Sequence, residues 1–159
     1  MRSMMLAIIS TITIAAATNA TAGGYSFSPA AARFTASGTA YVAYPWGSVG
    51  VTCSVSVKGK VTRKGEALVE AVTFSGGDAC NGMAAGDYPW WIKAHTATGG
   101  KSHNISISGL FNGGRCGPDV VPMTANQSGA WVIVTETYTD CSMRFELATS
   151  PAISIVATP

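Results

Sequence analysis

Four cysteines are the residues of this 159-residue chain whose type and spacing point most directly to chemistry: Cys53, Cys80, Cys116 and Cys141. Zinc binding is disfavoured, because no two cysteines lie within a few residues of each other and neither histidine sits beside one. Their even number favours two disulfides, which four cysteines can form in three ways. A weak internal repeat favours disulfides within each half of the chain, since each half runs from a cysteine through a polar turn and an apolar strand to another cysteine. The favoured bonds are Cys53 to Cys80 and Cys116 to Cys141.

A catalytic site finds little support in the residue pattern. The histidines are His95, near a predicted strand end, and His103, in a Gly-Gly-Lys-Ser turn, which are positions typical of surface residues. No serine lies in a Gly-x-Ser-x-Gly elbow, and the aspartates do not follow the spacing of a calcium loop. No motif for a metal, haem or flavin is present. We therefore predict that the protein is not an enzyme, holds no metal and uses no cofactor.

A repeated aromatic triplet is the candidate for ligand binding. The sequence Tyr44-Pro45-Trp46 recurs as Tyr88-Pro89-Trp90, and Trp91 follows directly. Neighbouring residues of a strand face opposite sides, so one of the two adjacent tryptophans is predicted to lie in the core. The other is then free to contact an apolar ligand, a surface or a neighbouring subunit. Packing is favoured over binding for such residues, and the candidate apolar-binding set is Tyr44, Trp46, Tyr88, Trp90 and Trp91.

Short β-strands are the elements that would position these residues. Val51, Cys53 and Val55 alternate with polar residues, a pattern typical of a half-buried strand. Glycine pairs between such segments suit tight turns, and no segment shows helical periodicity. Strands are predicted over residues 33–43, 49–58, 67–74, 90–96, 104–111, 131–138, 144–149 and 153–156. Eight short strands predict an all-β fold, a single antiparallel β-sandwich or barrel-like domain with two disulfides.

The first 22 residues read as a cleaved secretory signal peptide. Arg2 precedes an apolar run from Met4 to Ala17, and small residues stand at Ala20 and Ala22. The run is shorter than the roughly 20 residues that span a bilayer, and no later segment is long and apolar enough to do so. We predict cleavage after Ala22 and a single secreted β-domain over residues 23–159. Its expected location is the cell surface or the medium, with the periplasm as the alternative, and this oxidising route suits the disulfides.

Charge is low and evenly spread along the sequence. Charged residues make up 11% of the chain, well under the usual ~25%. Without Arg2, nine basic residues face eight acidic ones, and they are scattered singly. This pattern predicts no nucleic-acid partner. Low charge also weakens the repulsion between copies, so self-association is a candidate property.

A set of ordered landmarks resembles a known family. The landmarks are residues 34–39 (FTASGT), 72–76 (VTFSG), 89–90 (PW), 116–118 (CGP), 140–141 (DC) and 150–155 (SPAISI). Together they resemble the bacterial alkane oxidation protein activator (PraB) family over nearly the whole chain after the leader. The resemblance implies a secreted accessory protein that promotes growth on long-chain alkanes or their oxidation, and it assigns no catalytic residues.

Two functions stay open at this point. The first is an accessory protein that binds apolar molecules or acts at an oil and water interface or the cell surface. The second is a self-assembling extracellular subunit of a filament or biofilm matrix. For the second, residues 23–32 are expected to form a loose tail that pairs with the sheet edge of another subunit.

Overall fold

The computed structural model of the chain describes residues 24–43, 50–110, 113–134 and 141–159. The predicted leader, Met1 to Ala22, lies outside these ranges, as do Val49, Phe111 and residues 135–138 of three predicted strands. Among the described residues no helix is long and apolar enough to cross a membrane. The elements are β1 (Tyr25–Ser28), β2 (Arg33–Ala43), β3 (Gly50–Val61), β4 (Ala67–Ser75), α1 (Asp78–Asn81), β5 (Ala84–Gly86), β6 (Trp90–Thr96), β7 (Gly99–Leu110), β8 (Gly114–Ala125), β9 (Ala130–Val134), β10 (Ser142–Ser150) and β11 (Ser154–Ala157).

Eight of these strands close into an antiparallel barrel. Around the barrel they follow the order β7, β6, β4, β3, β2, β10, β9 and β8, and β8 returns to pair with β7. β5 is an extra strand that pairs with residues 106–108 of β7, beyond the part of β7 that pairs with β6. β1 and β11 form a separate two-stranded ribbon. The all-β prediction is therefore confirmed, and the architecture is the barrel rather than the sandwich.

Alternation of side chains along each strand builds the core. In β2, Phe34, Ala36, Ala40 and Val42 are buried, while the residues between them are exposed or half-buried. β3 and β10 repeat this alternation. Each large apolar side chain buried in this way contributes about 1.5–3 kcal/mol. Because a slip of one residue would turn the buried set outward, the pattern also fixes the register of the strands.

The barrel has two unlike ends. At the end that we call the ribbon end, β1 and β11 cover the opening. There the backbone N–H of Phe27 donates to the carbonyl of Gly65 at 2.8 Å, and the Gln127 amide donates to the carbonyl of Ile155 at 3.1 Å. These bonds tie the ribbon to the β3–β4 turn and the β8–β9 turn.

The opposite end, which we call the disulfide end, is held by covalent bonds. Cys53 near the start of β3 is joined to Cys80 in α1, and Cys116 of β8 is joined to Cys141 just before β10. The cysteine pairing that the weak internal repeat favours is therefore confirmed. In the chain-entropy model each of these bonds stabilises the fold by roughly 3–4 kcal/mol.

Three strands, the helix and the start of β7 differ from the sequence-based expectation. β7 begins at Gly99, so the predicted Gly-Gly-Lys-Ser turn and His103 are part of this strand. The patterns did not predict β1, β5, β8 or α1. Residues 25–28, expected in a loose tail, form β1 and pair with β11. In β8 the breakers Gly117 and Pro118 lie where the register with β7 shifts between Ile105 and Ile107, and such a bulge tolerates a proline because the ladder is already interrupted there. Gly117 has a φ of 78°, and a Cβ at this position would overlap the carbonyl oxygen of Ile105.

Trp131 connects the ribbon to the barrel. Its side chain is 1% exposed, and its ring lies 5.4 Å from that of Phe27 in β1 and 5.2 Å from that of Phe34 in β2. Its indole N–H donates to the carbonyl of Ile153 at 2.9 Å, just before β11 begins. One side chain of the barrel wall therefore holds both strands of the ribbon.

Truncation of this anchor tests its contribution. We expect Trp131→Ala to lower the free energy of unfolding by about 3–5 kcal/mol, because it leaves a large cavity. Trp131→Phe keeps most of the apolar volume but leaves the Ile153 carbonyl without its donor, at a cost of about 1–3 kcal/mol. Denaturant unfolding measures both effects, and amide hydrogen exchange should show the ribbon opening first. Trp91→Phe, on the outer face, is the matched control. If it lowered the free energy of unfolding as much as Trp131→Phe does, the role of Trp131 as the anchor of the ribbon would be contradicted.

Candidate functional site

The second aromatic triplet forms a corner of the barrel wall at the start of β6, which we call the aromatic corner (residues 88–91). Trp90 is 2% exposed, whereas Trp91 is half-buried on the outer surface. The two adjacent tryptophans therefore face opposite sides, as a strand requires. Trp91 is the direct cross-strand partner of Leu68 on one side and of His103 on the other. Trp91, not Trp90, is the tryptophan that the outer surface presents.

Trp90 is fixed in the core by several contacts. Its indole N–H donates to the carbonyl of Gly86 at 2.8 Å. Its ring meets that of Phe145 edge-on at 6.2 Å, and Phe145 lies 6.4 Å from Phe74. Aromatic pairs at such distances stabilise a core beyond their burial alone. Trp90 is therefore a core residue, and its side chain supports the residues packed around it.

Tyr88 covers an opening in the wall. β4 pairs with β6 only at residues 67–69, so the rest of that edge of β4 has no partner in β6. The hydroxyl oxygen of Tyr88 accepts a hydrogen bond from the backbone N–H of Val72 in this unpaired stretch, at 2.8 Å. Its ring stacks on that of Trp90 at 5.7 Å and 22°. Burial raises the pKa of Tyr88, although the bond from Val72 opposes the shift.

The corner nevertheless remains open to solvent. Tyr88 is 38% exposed, and its ring rests on a buried, hydrogen-bonded tryptophan. Tyr88 just before β6 and the half-buried Trp91 within it therefore both present aromatic surface where this strand begins. Because Tyr88 is held against the fixed ring of Trp90, little side-chain entropy would be lost when an apolar molecule contacts Tyr88.

An exposed ion pair holds the loop before the corner. Asp87, which has a φ of 52°, forms a salt bridge with Arg115 of β8, and its carboxylate also accepts a hydrogen bond from Ser106 of β7. The bonds from Ser106 and Arg115 lower the pKa of Asp87. Aspartate is one of the residues that tolerate such a positive φ in turns. The sequence alone did not indicate that three separate elements meet at Asp87.

The first aromatic triplet is Tyr44-Pro45-Trp46. Tyr44 and Trp46 lie in residues 44–49, outside the described residues. The flanking residues Ala43 and Gly50 pair with each other at the disulfide end. Tyr44 and Trp46 therefore stay candidates on the sequence alone.

Two surface grooves lie away from the aromatic corner. One, of about 370 Å³, is lined by residues of β2, β3, β4 and β10, and the other, of about 280 Å³, by residues of β8, β9 and β10. Neither is lined by residues 88–91. In the part of the chain that the structure describes, no three His, Cys, Asp or Glu side chains are grouped so that they could hold a metal ion. The corner thus offers apolar contact surface, and its polar groups are already engaged.

Removal of the Tyr88 hydroxyl tests whether this residue covers the wall. We expect Tyr88→Phe to lower the free energy of unfolding by about 1 kcal/mol, because the Val72 N–H loses its acceptor. Thermal or denaturant unfolding measures the change. Tyr41→Phe is the matched control, since Tyr41 is 43% exposed on β2 and surface changes usually stay within about 0.5 kcal/mol. Equal effects of the two substitutions would contradict a special role for Tyr88.

Comparison with known proteins identifies a family. No curated protein matches the chain, and no solved structure matches it. A family model described as "Alkane oxidation protein activator PraA/PraB-like" matches residues 1–157. This confirms the resemblance seen in the ordered landmarks of the sequence. The chain therefore belongs to the PraA/PraB-like family of alkane oxidation protein activators.

Proposed function

We propose that this chain is an exported, non-enzymatic accessory protein that promotes bacterial use of alkanes by contacting apolar molecules, either dissolved or at an oil and water interface. Membership of the alkane oxidation activator family supports the biological role. The two disulfides support a location outside the cytoplasm, at the cell surface, in the medium or in the periplasm. In this proposal the signal peptide directs export, and the β-domain acts alone without a cofactor.

The aromatic corner is the observation that carries the apolar-contact part of the proposal. Tyr88 is exposed and stacked on a rigid support, and Trp91 stands half-buried on the outer surface beside Leu68. Large aromatic side chains give much contact area for little lost entropy, which suits contact with a featureless hydrocarbon. Tyr44 and Trp46 extend the proposed contact set.

Tryptophan fluorescence tests this contact. We expect a hexadecane emulsion to shift the emission of the secreted protein to the blue, because Trp91 moves from a partly aqueous to an apolar environment. Trp91→Phe should remove most of the shift. Trp131→Phe is the matched control and should leave it intact, since Trp131 is 1% exposed. An unchanged spectrum together with no surface activity would contradict apolar contact.

The biological role needs a separate test. A deletion strain should grow more slowly on alkane than on a soluble carbon source, and the gene for the Trp91→Phe variant should restore growth less well than the native gene. The purified protein alone is expected not to turn over alkane, because the proposed role is accessory. Equal growth of the deletion and parent strains on alkane would contradict the role.

A self-assembling matrix or filament subunit is the second candidate. The observation in its favour is the ribbon of β1 and β11, which lies outside the barrel sheet and pairs within itself. If β1 of one copy paired with β11 of another, the existing β1–β11 contacts would join the copies, as in domain swapping. The bonds of Phe27 to Gly65 and of Gln127 to Ile155 oppose such release within one chain.

Electron microscopy of the secreted fraction separates the two candidates. Filaments that disappear when β1 is tied to β11 by a Ser26→Cys and Val156→Cys pair would support assembly by exchange, because these residues are direct cross-strand partners. We expect monomers for the accessory role. Monomers at high concentration would remove the assembly candidate.

A further inference from the structure

Basic residues that are scattered along the sequence converge at the ribbon end. Arg33 pairs across β2 and β3 with Lys60, and Lys93 pairs across β6 and β7 with Lys101. These four lie close to the strand ends next to the ribbon. Lys58 lies two residues before Lys60 in β3, and the β3–β4 turn adds two more cations. We call the whole set the basic rim: Arg33, Lys58, Lys60, Arg63, Lys64, Lys93 and Lys101.

The basic rim keeps an excess of positive charge. In this part of the described structure two carboxylates accompany the seven cations. Glu70 pairs with Lys60 at 2.5 Å and with Arg33 at 3.7 Å, and Glu66 pairs with Lys93 at 3.2 Å. The hydrogen bond from Lys60 lowers the pKa of Glu70, so this carboxylate stays ionised. Two negative charges cannot balance seven positive ones, and the rim carries a net charge of +5.

A groove opens within the basic rim. The register of β3 with β4 shifts between Lys58 and Gly59, and such an irregularity bends a strand locally. The groove at this point has a volume of about 370 Å³, and Arg33, Lys58 and Ala71 are among its lining residues. Arg33 has an 82% exposed side chain. Glu70, whose carboxylate is paired with Lys60 and Arg33, also lines the groove. An anionic group there would meet the two cations Arg33 and Lys58 beside this paired carboxylate.

The surface beside the rim is uncharged. β1 and β11 contain no charged side chain. Tyr25 and Val156 on this ribbon are each 38% exposed. At the opposite, disulfide end, acidic residues are found, among them Asp78 in α1 and Asp87 before β6. The basic end thus exposes Tyr25 on one face of the ribbon and Val156 on the other, because Val156 is the direct partner of Ser26. At the disulfide end Asp87 is paired with Arg115, so the described residues there carry no comparable excess of positive charge.

We propose that the ribbon end docks on a membrane surface that carries anionic lipid phosphates. Clustered Lys and Arg side chains attract such a surface, and each adds about fivefold to binding. Long basic side chains, a tyrosine and a small apolar side chain are also the residue types that settle at the boundary of headgroups and acyl chains. An acidic polymer would match the charge, but it would leave Tyr25 and Val156 without an apolar partner.

This docking is independent of the alkane-related role proposed above. It needs neither the aromatic corner nor an apolar ligand, because its charged contacts come from the basic rim and its apolar contacts from Tyr25 and Val156 of the ribbon. If it fails, the proposed accessory function is unaffected.

Vesicle cosedimentation without alkane tests the docking. We expect the secreted protein to bind vesicles of phosphatidylcholine mixed with phosphatidylglycerol, and to bind vesicles of phosphatidylcholine alone far more weakly. Added salt should weaken binding, because it screens exposed charges. The double variant Arg63→Gln with Lys64→Gln should lower the partition coefficient about 30-fold, from about fivefold for each lost cation. Tyr25→Ser should weaken binding further at constant charge.

A charge-matched control separates the rim from net charge. Arg115→Gln with Arg144→Gln removes two cations elsewhere on the barrel, both in exposed ion pairs, and should leave vesicle binding nearly unchanged. Circular dichroism should show that all variants fold.

Several results would overturn the proposal. The first is equal binding to both kinds of vesicle, and the second is an equal loss of vesicle binding in the two double variants. The third is binding to a soluble acidic polysaccharide that is stronger than binding to vesicles and equally sensitive to salt. Salt-sensitive dimers without vesicles, broken by the Arg63 and Lys64 changes, would assign the rim to a second copy of the chain instead.

Discussion

The pairing of β8 with β7 is the contact on which the rest of the structure depends, because it closes a sheet of short strands into a barrel. Closure gives every strand an inside and an outside, so that simple alternation is enough to build one core. It also removes the two edges that an open sheet would expose. The two ribbon strands outside the ring have their outer edges engaged in part: Phe27 of β1 bonds to Gly65, and Gln127 bonds to Ile155 of β11.

Closure leaves two open ends, and the chain covers them by different means. At the ribbon end the cover is noncovalent and depends on Trp131, which contacts aromatic rings and a backbone carbonyl at once. At the other end, the bonds of Cys53 with Cys80 and Cys116 with Cys141 hold α1 and the entry to β10 against the wall. The disulfides restrain the unfolded chain and so stabilise the fold as a whole, whereas the ribbon is stabilised only by local packing. Local opening should therefore begin at the ribbon.

The sequence predicts features that depend on local periodicity and misses those that depend on closure. β2 and β6 begin and end where the alternating patterns place them. β8 was missed because Gly117 and Pro118 break the pattern, and the strand tolerates them because it bulges there, with these two residues opposite the single residue Ser106 of β7. β1 was missed because four residues carry too little periodicity, and its strand conformation comes from pairing with β11 and packing on Trp131.

The site shows the same division. Opposite orientations of Trp90 and Trp91 follow from the strand period, but which of them faces the core depends on the register of β6 against β4. The covering role of Tyr88 has no local signal, since Val72 lies 16 residues away. The basic rim likewise forms only when β2, β3, β4, β6 and β7 are neighbours in one sheet, because its members are scattered along the sequence.

The position of the aromatic corner follows from the incompleteness of the wall. Where β4 and β6 cease to pair after Val69, backbone groups and core side chains would meet water unless something covered them. Tyr88 covers them with a group that is apolar on its face and polar at its tip, which a fully apolar side chain could not do without leaving the Val72 N–H unpaired. The same requirement keeps Tyr88 at the surface, because the cover of an opening has solvent on its other side. An exposed aromatic ring at this point is thus a structural necessity first, and apolar contact is a use to which that ring is suited.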